Sequence, residues 1–143
     1  MTKVFVNGTF DIIHSGHLYL LSYAKRLGDH LLVALDSDDR IRSKKGDSRP
    51  VNNANTRIHI MSSFKFVDGV NMFNSDDELV RIIQNYSPDI MVVGSDWRNK
   101  PVIGSEYAKQ LIFFDRIEDL STTNTLNKYL SSIRENNIWV IPF

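Results

Sequence analysis

The sequence predicts an open α/β sheet of parallel strands with helices on both faces. Three observations carry this expectation. The first 35 residues read strand, helix, strand, and both strands are apolar throughout, the pattern of a parallel pair joined by a crossover helix. Strand-like and helix-like segments then keep alternating with short connections. No repeat or linker divides the 143 residues, a length that suits one domain over 1–143.

The elements follow in order. Lys3-Val4-Phe5-Val6-Asn7 is a short β-prone run ending at Gly8. From Gly16 to Leu27 the apolar spacing turns helical through Leu18, Leu21, Ala24 and Leu27, and Gly28 stands where a helix stop belongs. Leu31–Leu35 is a second buried strand, closed by Asp36-Ser37-Asp38; Asp36, Asp38 and Asp39 read as strand-end and helix-start chemistry, with Asp36 at a ligand-facing strand end. Arg40 to Arg57 is mostly polar, with six basic residues against one acid, and its middle, Gly46 to Asn53, reads as loop. A helix is expected from Asn53 to Phe64 and a short strand at Gly69–Phe73. Asp76–Tyr86 is a helix opened by acids, as the macrodipole favours. Ile90–Gly94 is the next buried strand, and Ser95–Gly104 is loop. A short helix at Ser105–Lys109 leads to a strand at Leu111–Phe114. A last helix begins after Ser121, and residues 136–143 form a tail whose Ile138–Ile141 stretch suits an edge strand.

Composition narrows the function. Lys plus Arg and Asp plus Glu both number 17, a neutral balance that argues against a nucleic-acid partner. The absence of cysteine excludes a disulfide scaffold, a thiolate nucleophile and an iron–sulfur cluster. No apolar run is long enough for a membrane span. Met1 leads straight into the first strand without signal-peptide anatomy, so a soluble, cytoplasmic location is expected.

In open α/β sheets, ligands bind outside the carboxyl ends of strands. The first strand ends in Gly8-Thr9-Phe10-Asp11, and His14-Ser15-Gly16-His17 opens the following helix. Two histidines three apart at a helix start point the same way. Gly16 between them lets a ligand approach the backbone. Free N–H groups at this end and two imidazoles together make an anion site. A bare H-x-G-H is weak; directly after a strand ending in G-T-F-D it is specific.

Gly8–Asp11 with His14–His17 resembles the signature of the cytidylyltransferase-like nucleotidyltransferases, HxGH enzymes on a Rossmann-like α/β domain. The resemblance implies transfer of a nucleoside monophosphate from a triphosphate to a phosphorylated acceptor, with release of pyrophosphate. Lys45-Gly46-Asp47-Ser48-Arg49-Pro50-Val51-Asn52, followed by Arg57, resembles the matching loop of the heptose-1-phosphate adenylyltransferase domain of bacterial lipopolysaccharide assembly. Glu118 to Asn124, with its S-T-T-N, and Gly104-Ser105-Glu106 are similar to that same group. Gly94-Ser95-Asp96-Trp97 looks more like the G-D-D-W loop of glycerol-3-phosphate cytidylyltransferase. An arginine stands in that group five residues before S-T-T, as Arg116 does here. Asp119 stands where these groups usually carry glycine. The likeness covers about residues 3 to 133.

Roles follow from the resemblance and from the needs of phosphoryl chemistry, which are in-line geometry and cations around the spreading charge. His14 and His17 would hold the triphosphate, and Lys44 or Lys45 would close over it from a mobile loop. Gly8, Thr9, Phe10 and Gly16 line the phosphate approach. Gly94, Asp96 and Trp97 would carry base and ribose. Ser121, Thr122 and Thr123 would hold the outer phosphates at a helix start. Arg57, with Arg116 as a further candidate, would take the acceptor's phosphate, since a guanidinium suits phosphate. Asp11 is expected on the acceptor's hydroxyls. Magnesium is expected on the nucleotide phosphates, without a protein metal site. His30 and His59 lack a motif and read as structural. The blander alternatives stay open: a solvated Lys44-Lys45 loop, a simple helix cap at Ser121–Thr123, packing at Trp97, and a surface ion pair at Arg57.

Two substrate pairs compete. The longer loop match favours ATP with a sugar 1-phosphate, while the tryptophan loop and Arg116 favour CTP with glycerol 3-phosphate. A non-catalytic nucleotide-binding module on the same fold is the alternative of another class. The resemblance also implies a homodimer, for which the sequence offers only a group of aromatics, Phe64, Phe66 and Phe73.

Overall fold

A computed structural model of the chain describes residues 1–115 and 121–136. Among the described residues five strands form one sheet: β1 (Lys3–Gly8), β2 (His30–Asp36), β3 (Gly69–Phe73), β4 (Ile90–Gly94) and β5 (Gln110–Phe114). All neighbours are parallel, in the order β3-β2-β1-β4-β5. The chain therefore builds outward from β1 to one side, then returns to lay β4 and β5 on the other. The carboxyl ends of β1 and β4 flank the point where the direction switches, where such sheets bind ligands.

Successive side chains of each strand face opposite ways, and the core divides accordingly. Val4, Val6, Leu31, Val33 and Leu35 pack with Leu21 and Ala24 of α1 (Ser15–Arg26) and with Met61. Phe5, Leu32, Ala34 and Met91 pack on the other face with Leu79 and Ile83. Those two residues belong to α4 (Asp76–Tyr86). Burial on both faces explains why β1 and β2 are apolar without alternation.

Two further helices lie between β2 and β3. The segment α3 (Ala54–Ser62) starts on Asn53, whose side chain accepts from the Thr56 N–H, as an N-cap does. The segment α2 (Asp38–Lys45) begins at the helix start read at Asp38 and Asp39, and it corrects one point, since Lys44 and Lys45 stand on a helix and not on a loop. It has a single buried residue, Ile41, so no apolar stripe announces it. Local devices hold it instead: the Ser37 cap, Asp38 and Asp39 in the first turn, and Arg42, Lys44 and Lys45 in the last. Between β4 and β5 a short 3-10 turn at Ser95–Trp97 opens the expected loop, and another at Ser105–Tyr107 stands in place of the expected helix. Last comes α5 (Thr122–Asn136), capped by Ser121, whose hydroxyl accepts from the Asn124 N–H at 3.0 Å.

The aromatic group is not one group. Phe64 and Phe66 stack at 5.4 Å and pack against the α1 side of the core, whereas Phe73 is buried on the α4 side. Their proximity in sequence is therefore satisfied within the fold. No helix among the described residues is long and apolar enough to cross a membrane. Arg116 and residues 137–143 lie outside the described residues, as does the side chain of Thr122.

Candidate active site

A cleft of about 570 Å³ opens over the carboxyl ends of β1, β2 and β4. Its floor is the turn after β1. Phe10 adopts φ 46 there, a left-handed conformation that a bulky residue reaches only under constraint. The turn buries the Phe10 ring 5.1 Å from the His17 ring. Gly8 leaves room for it: a Cβ on Gly8 would stand 3.0 Å from that ring.

The two histidines are fixed by the helix they open. His14 is the N-cap of α1, and its Nδ1 accepts from the Gly16 N–H at 3.1 Å. His17 reaches back, its Nδ1 accepting from the His14 N–H at 3.2 Å. This is a reciprocal capping box built from imidazoles. Because each Nδ1 is an acceptor, each neutral ring carries its proton on Nε2. The rings stack, with centroids 3.7 Å apart. The expectation of free N–H groups here is thereby narrowed. The Gly16 N–H serves His14, and the His17 N–H closes onto the His14 carbonyl at 3.0 Å. The Nε2–H groups, which the cap does not use, belong to two rings that line the cleft.

Asp11 is buried and its carboxylate takes three donors: Arg49 Nε at 3.0 Å, the Val51 N–H at 2.9 Å and the Asn52 N–H at 2.8 Å. Asn52 Nδ2 donates in return to the Asp11 carbonyl at 2.7 Å. Segment 49–52 is thus tied to the β1 turn, and Arg49 is brought to the cleft wall. The sequence reading assigned Arg49 no role. Its proximity to Asp11 spans 38 residues and no local pattern shows it.

Arg57 stands elsewhere than expected. Its side chain is fully buried and does not line the cleft. The guanidinium donates to the carbonyls of Asn52, Thr9 and Asp36 and to Asp38 Oδ1 at 2.7 Å. A buried charge requires such partners. Arg57 is a post joining the ends of β1 and β2 to α2 and α3, not a ligand for an acceptor phosphate. Asp38 feels the bond: burial pushes its carboxyl up, but hydrogen bonds from Arg57 and the Ala54 N–H, with the Arg57 and Arg42 charges, bring it below the usual value.

The other expected residues meet in the cleft. Lys44 and Lys45 reach it from the last turn of α2 rather than from a loop. Thr9, Gly94, Asp96, half-exposed Trp97, Ser121 and Thr123 line it, as do Asp36, at its ligand-facing strand end, and Arg40, for which no local pattern points to the site. Among the described residues no group of three or more His, Cys, Asp or Glu side chains converges to hold a metal. His30 is structural, its Nδ1 2.9 Å from the Tyr86 hydroxyl.

The match to known proteins falls on this same architecture. Residues 5–139 match the family model described as cytidylyltransferase-like. The chain belongs to the cytidylyltransferase-like family of nucleotidyltransferases. It is 43% identical over 127 residues to the bifunctional protein HldE of Campylobacter fetus, covering 89% of this chain and 28% of that protein. It is 44% identical over 123 residues to HldE of Helicobacter hepaticus, covering 86% and 25%. The chain spans about a quarter of the length of these relatives. Among solved structures, a lipopolysaccharide core biosynthesis protein from Thermoplasma volcanium superposes with a TM-score of 0.65 at 26% identity, over 85% of this chain and 99% of that one.

Proposed function

We propose that the protein transfers AMP from ATP to a sugar 1-phosphate such as heptose 1-phosphate, releasing pyrophosphate. The observation that carries the reading is the imidazole pair with its Nε2–H groups fixed, lining one cleft with Lys44, Lys45 and Arg49. The likeness to HldE and the heptose-type pattern of Lys45–Asn52 support the sugar acceptor.

The chemistry asks little covalent work of the protein. An acceptor phosphate oxygen is already anionic at neutral pH, so it needs no general base. It attacks the α-phosphorus in line, one P–O bond forms, and the bond to pyrophosphate breaks. His14 and His17 donate hydrogen bonds to the oxygens on which charge grows, and their fixed tautomers require no rearrangement. Lys44 and Lys45 neutralise the departing phosphates. Ser121, Thr122 and Thr123 receive their outer oxygens. Gly94, Asp96 and Trp97 seat ribose and base. Asp11 acts through Arg49, which it positions toward the acceptor phosphate, and Arg116 is a second candidate for that contact. The Asp11 carboxylate already takes three donors, so magnesium fits as an ion carried by the triphosphate, whose charge it would screen. The homodimer implied by the family belongs to the same reading, and mass measurement in solution checks it.

A second substrate pair, CTP with glycerol 3-phosphate, is favoured by the Asp96-Trp97 loop in the cleft. Pyrophosphate release across four nucleoside triphosphates and a panel of phosphorylated acceptors decides. Release with ATP and heptose 1-phosphate is expected. Release confined to CTP and glycerol 3-phosphate would select the second pair. Binding of nucleotide without release on any acceptor would mark a non-catalytic module.

A further inference from the structure

The cleft has a lobe that the phosphate contacts leave unused. Strand order sets β2 and β3 on the side of β1 away from β4. There the wall is formed by Asp36, Arg40, Phe73 and Leu79. Asp36 and Arg40 are 13% and 12% exposed, so their positions are set by the fold. Arg40 Nε donates to Asp36 Oδ1 at 2.8 Å, and its Nη2 donates to Asp76 Oδ1 at 2.7 Å. The guanidinium lies over the Phe73 ring at 5.1 Å. From below, Arg57 donates to the Asp36 carbonyl at 2.7 Å. Among the described residues, Asp36 Oδ2 and Arg40 Nη1 have no hydrogen-bond partner.

A carboxylate on the wall of a cleft lined with cations repels phosphate and accepts from hydroxyl. A guanidinium beside it donates to hydroxyl. An acceptor oxygen on Asp36 and a donor nitrogen on Arg40, on two side chains tied by a 2.8 Å ion pair, can serve two hydroxyls of one polyol. The base and ribose have their own wall at Gly94–Trp97, across β1 from this lobe. We propose that Asp36 and Arg40 bind the hydroxyls of the acceptor and set selectivity for a polyhydroxylated phosphate over a smaller one. This inference rests on the nucleotidyl-transfer reading given above.

The test uses the full chain and whichever triphosphate the wild type turns over, with heptose 1-phosphate and glycerol 3-phosphate as acceptors. Asp36→Asn keeps shape and removes charge; Arg40→Lys keeps charge and removes the planar fork. Melting temperatures report that each variant is folded. The expected result is a KM for heptose 1-phosphate raised at least about 10-fold in Asp36→Asn, the usual worth of a charged hydrogen bond. The KM for the triphosphate should stay within about twofold. The kcat/KM preference for heptose 1-phosphate over glycerol 3-phosphate should fall by a similar factor in both variants. A raised KM for the triphosphate instead would overturn the inference and make Asp36 a ribose ligand. Unchanged constants with an active wild type would overturn it alone, leaving Asp36 as a support for Arg40. A wild type silent on both acceptors with every triphosphate would defeat the transfer reading itself, and this inference with it.

Discussion

His14 and His17 form their own helix cap, so the groups proposed to meet the phosphates also hold each other. Replacing His17 with Ala removes one Nε2–H donor and one half of the cap. The loss of a transition-state donor is worth about 100-fold or more in kcat, whereas a cap is worth about 1 kcal/mol of stability. The expected outcome is a folded variant with kcat reduced at least about 100-fold. Steady-state kinetics beside thermal melting check it, and near-normal turnover would remove His17 from the site. Arg57 should behave in the opposite way. Arg57→Ala strands Asp38 and withdraws donors from three carbonyls, and breaking a buried pair costs about 3–5 kcal/mol. Urea denaturation should show that loss. A stable Arg57→Ala variant with a raised acceptor KM would restore the ligand role expected from sequence.

At the scale of elements, legibility followed the kind of force that holds each one. The strands Gly69–Phe73 and Ile90–Gly94 and the helix Asp76–Tyr86 were readable to the residue: an apolar run marks the second strand, acids mark the helix start, and Asp68-Gly69 with Asn74-Ser75 bound the first strand, which Asn71 interrupts. Of α2 only the start, at Asp38 and Asp39, was readable, since charges and a cap hold it and only Ile41 is buried. The site divides likewise. The H-x-G-H pair and the Gly94–Trp97 segment are local patterns and could be found. Arg49 on Asp11 and Arg40 on Asp36 depend on contacts made by folding, and the solvated, acid-paired arginines of a polar stretch look alike in sequence. Arg57 matched a motif but its burial was invisible. Gly104 offers a test at this scale. It adopts φ 79, and a Cβ there would stand 2.4 Å from Ile83 Cδ1 of α4. Gly104→Ala combines left-handed strain with overpacking and should lower stability by about 2 kcal/mol. Equilibrium unfolding measures this, and an unchanged midpoint would contradict the packing of the β4–β5 connection against α4.

The whole molecule is laced by carboxylates that join elements far apart in sequence, and this sets its response to pH. Asp68 takes Lys25 of α1 and the Leu31 N–H of β2. Asp89 takes the Lys3 N–H of β1 and Lys109. Asp38 takes Arg57. Burial pushes Asp68 up, but the Lys25 and Leu31 hydrogen bonds outweigh it, so its carboxyl lies below the ordinary value, as does that of Asp38. In Asp89 the Lys109 and Lys3 bonds lead, and its carboxyl is also lowered. A lowered carboxyl contributes stability that is complete above the unfolded value of 3.8 and is lost as pH falls through the folded value. At the alkaline end stands Tyr86, which joins α4 to the sheet by donating to the His30 carbonyl at 3.0 Å. Burial, with the nearby Asp68 charge, pushes its phenol from 10.0 up to about 12. A raised phenol favours the fold below its unfolded value, and that contribution is lost as pH rises from about 10 toward about 12. The melting temperature should therefore hold a plateau bounded by two losses, one below pH 3.8 and one above about pH 10. Tyr86→Phe separates them: it removes the alkaline loss that the phenol causes and leaves the acid one in place. A variant whose alkaline limb matches the wild type would show that other groups set that limit, and an acid limb that moves with Tyr86 would contradict the assignment to the three aspartates.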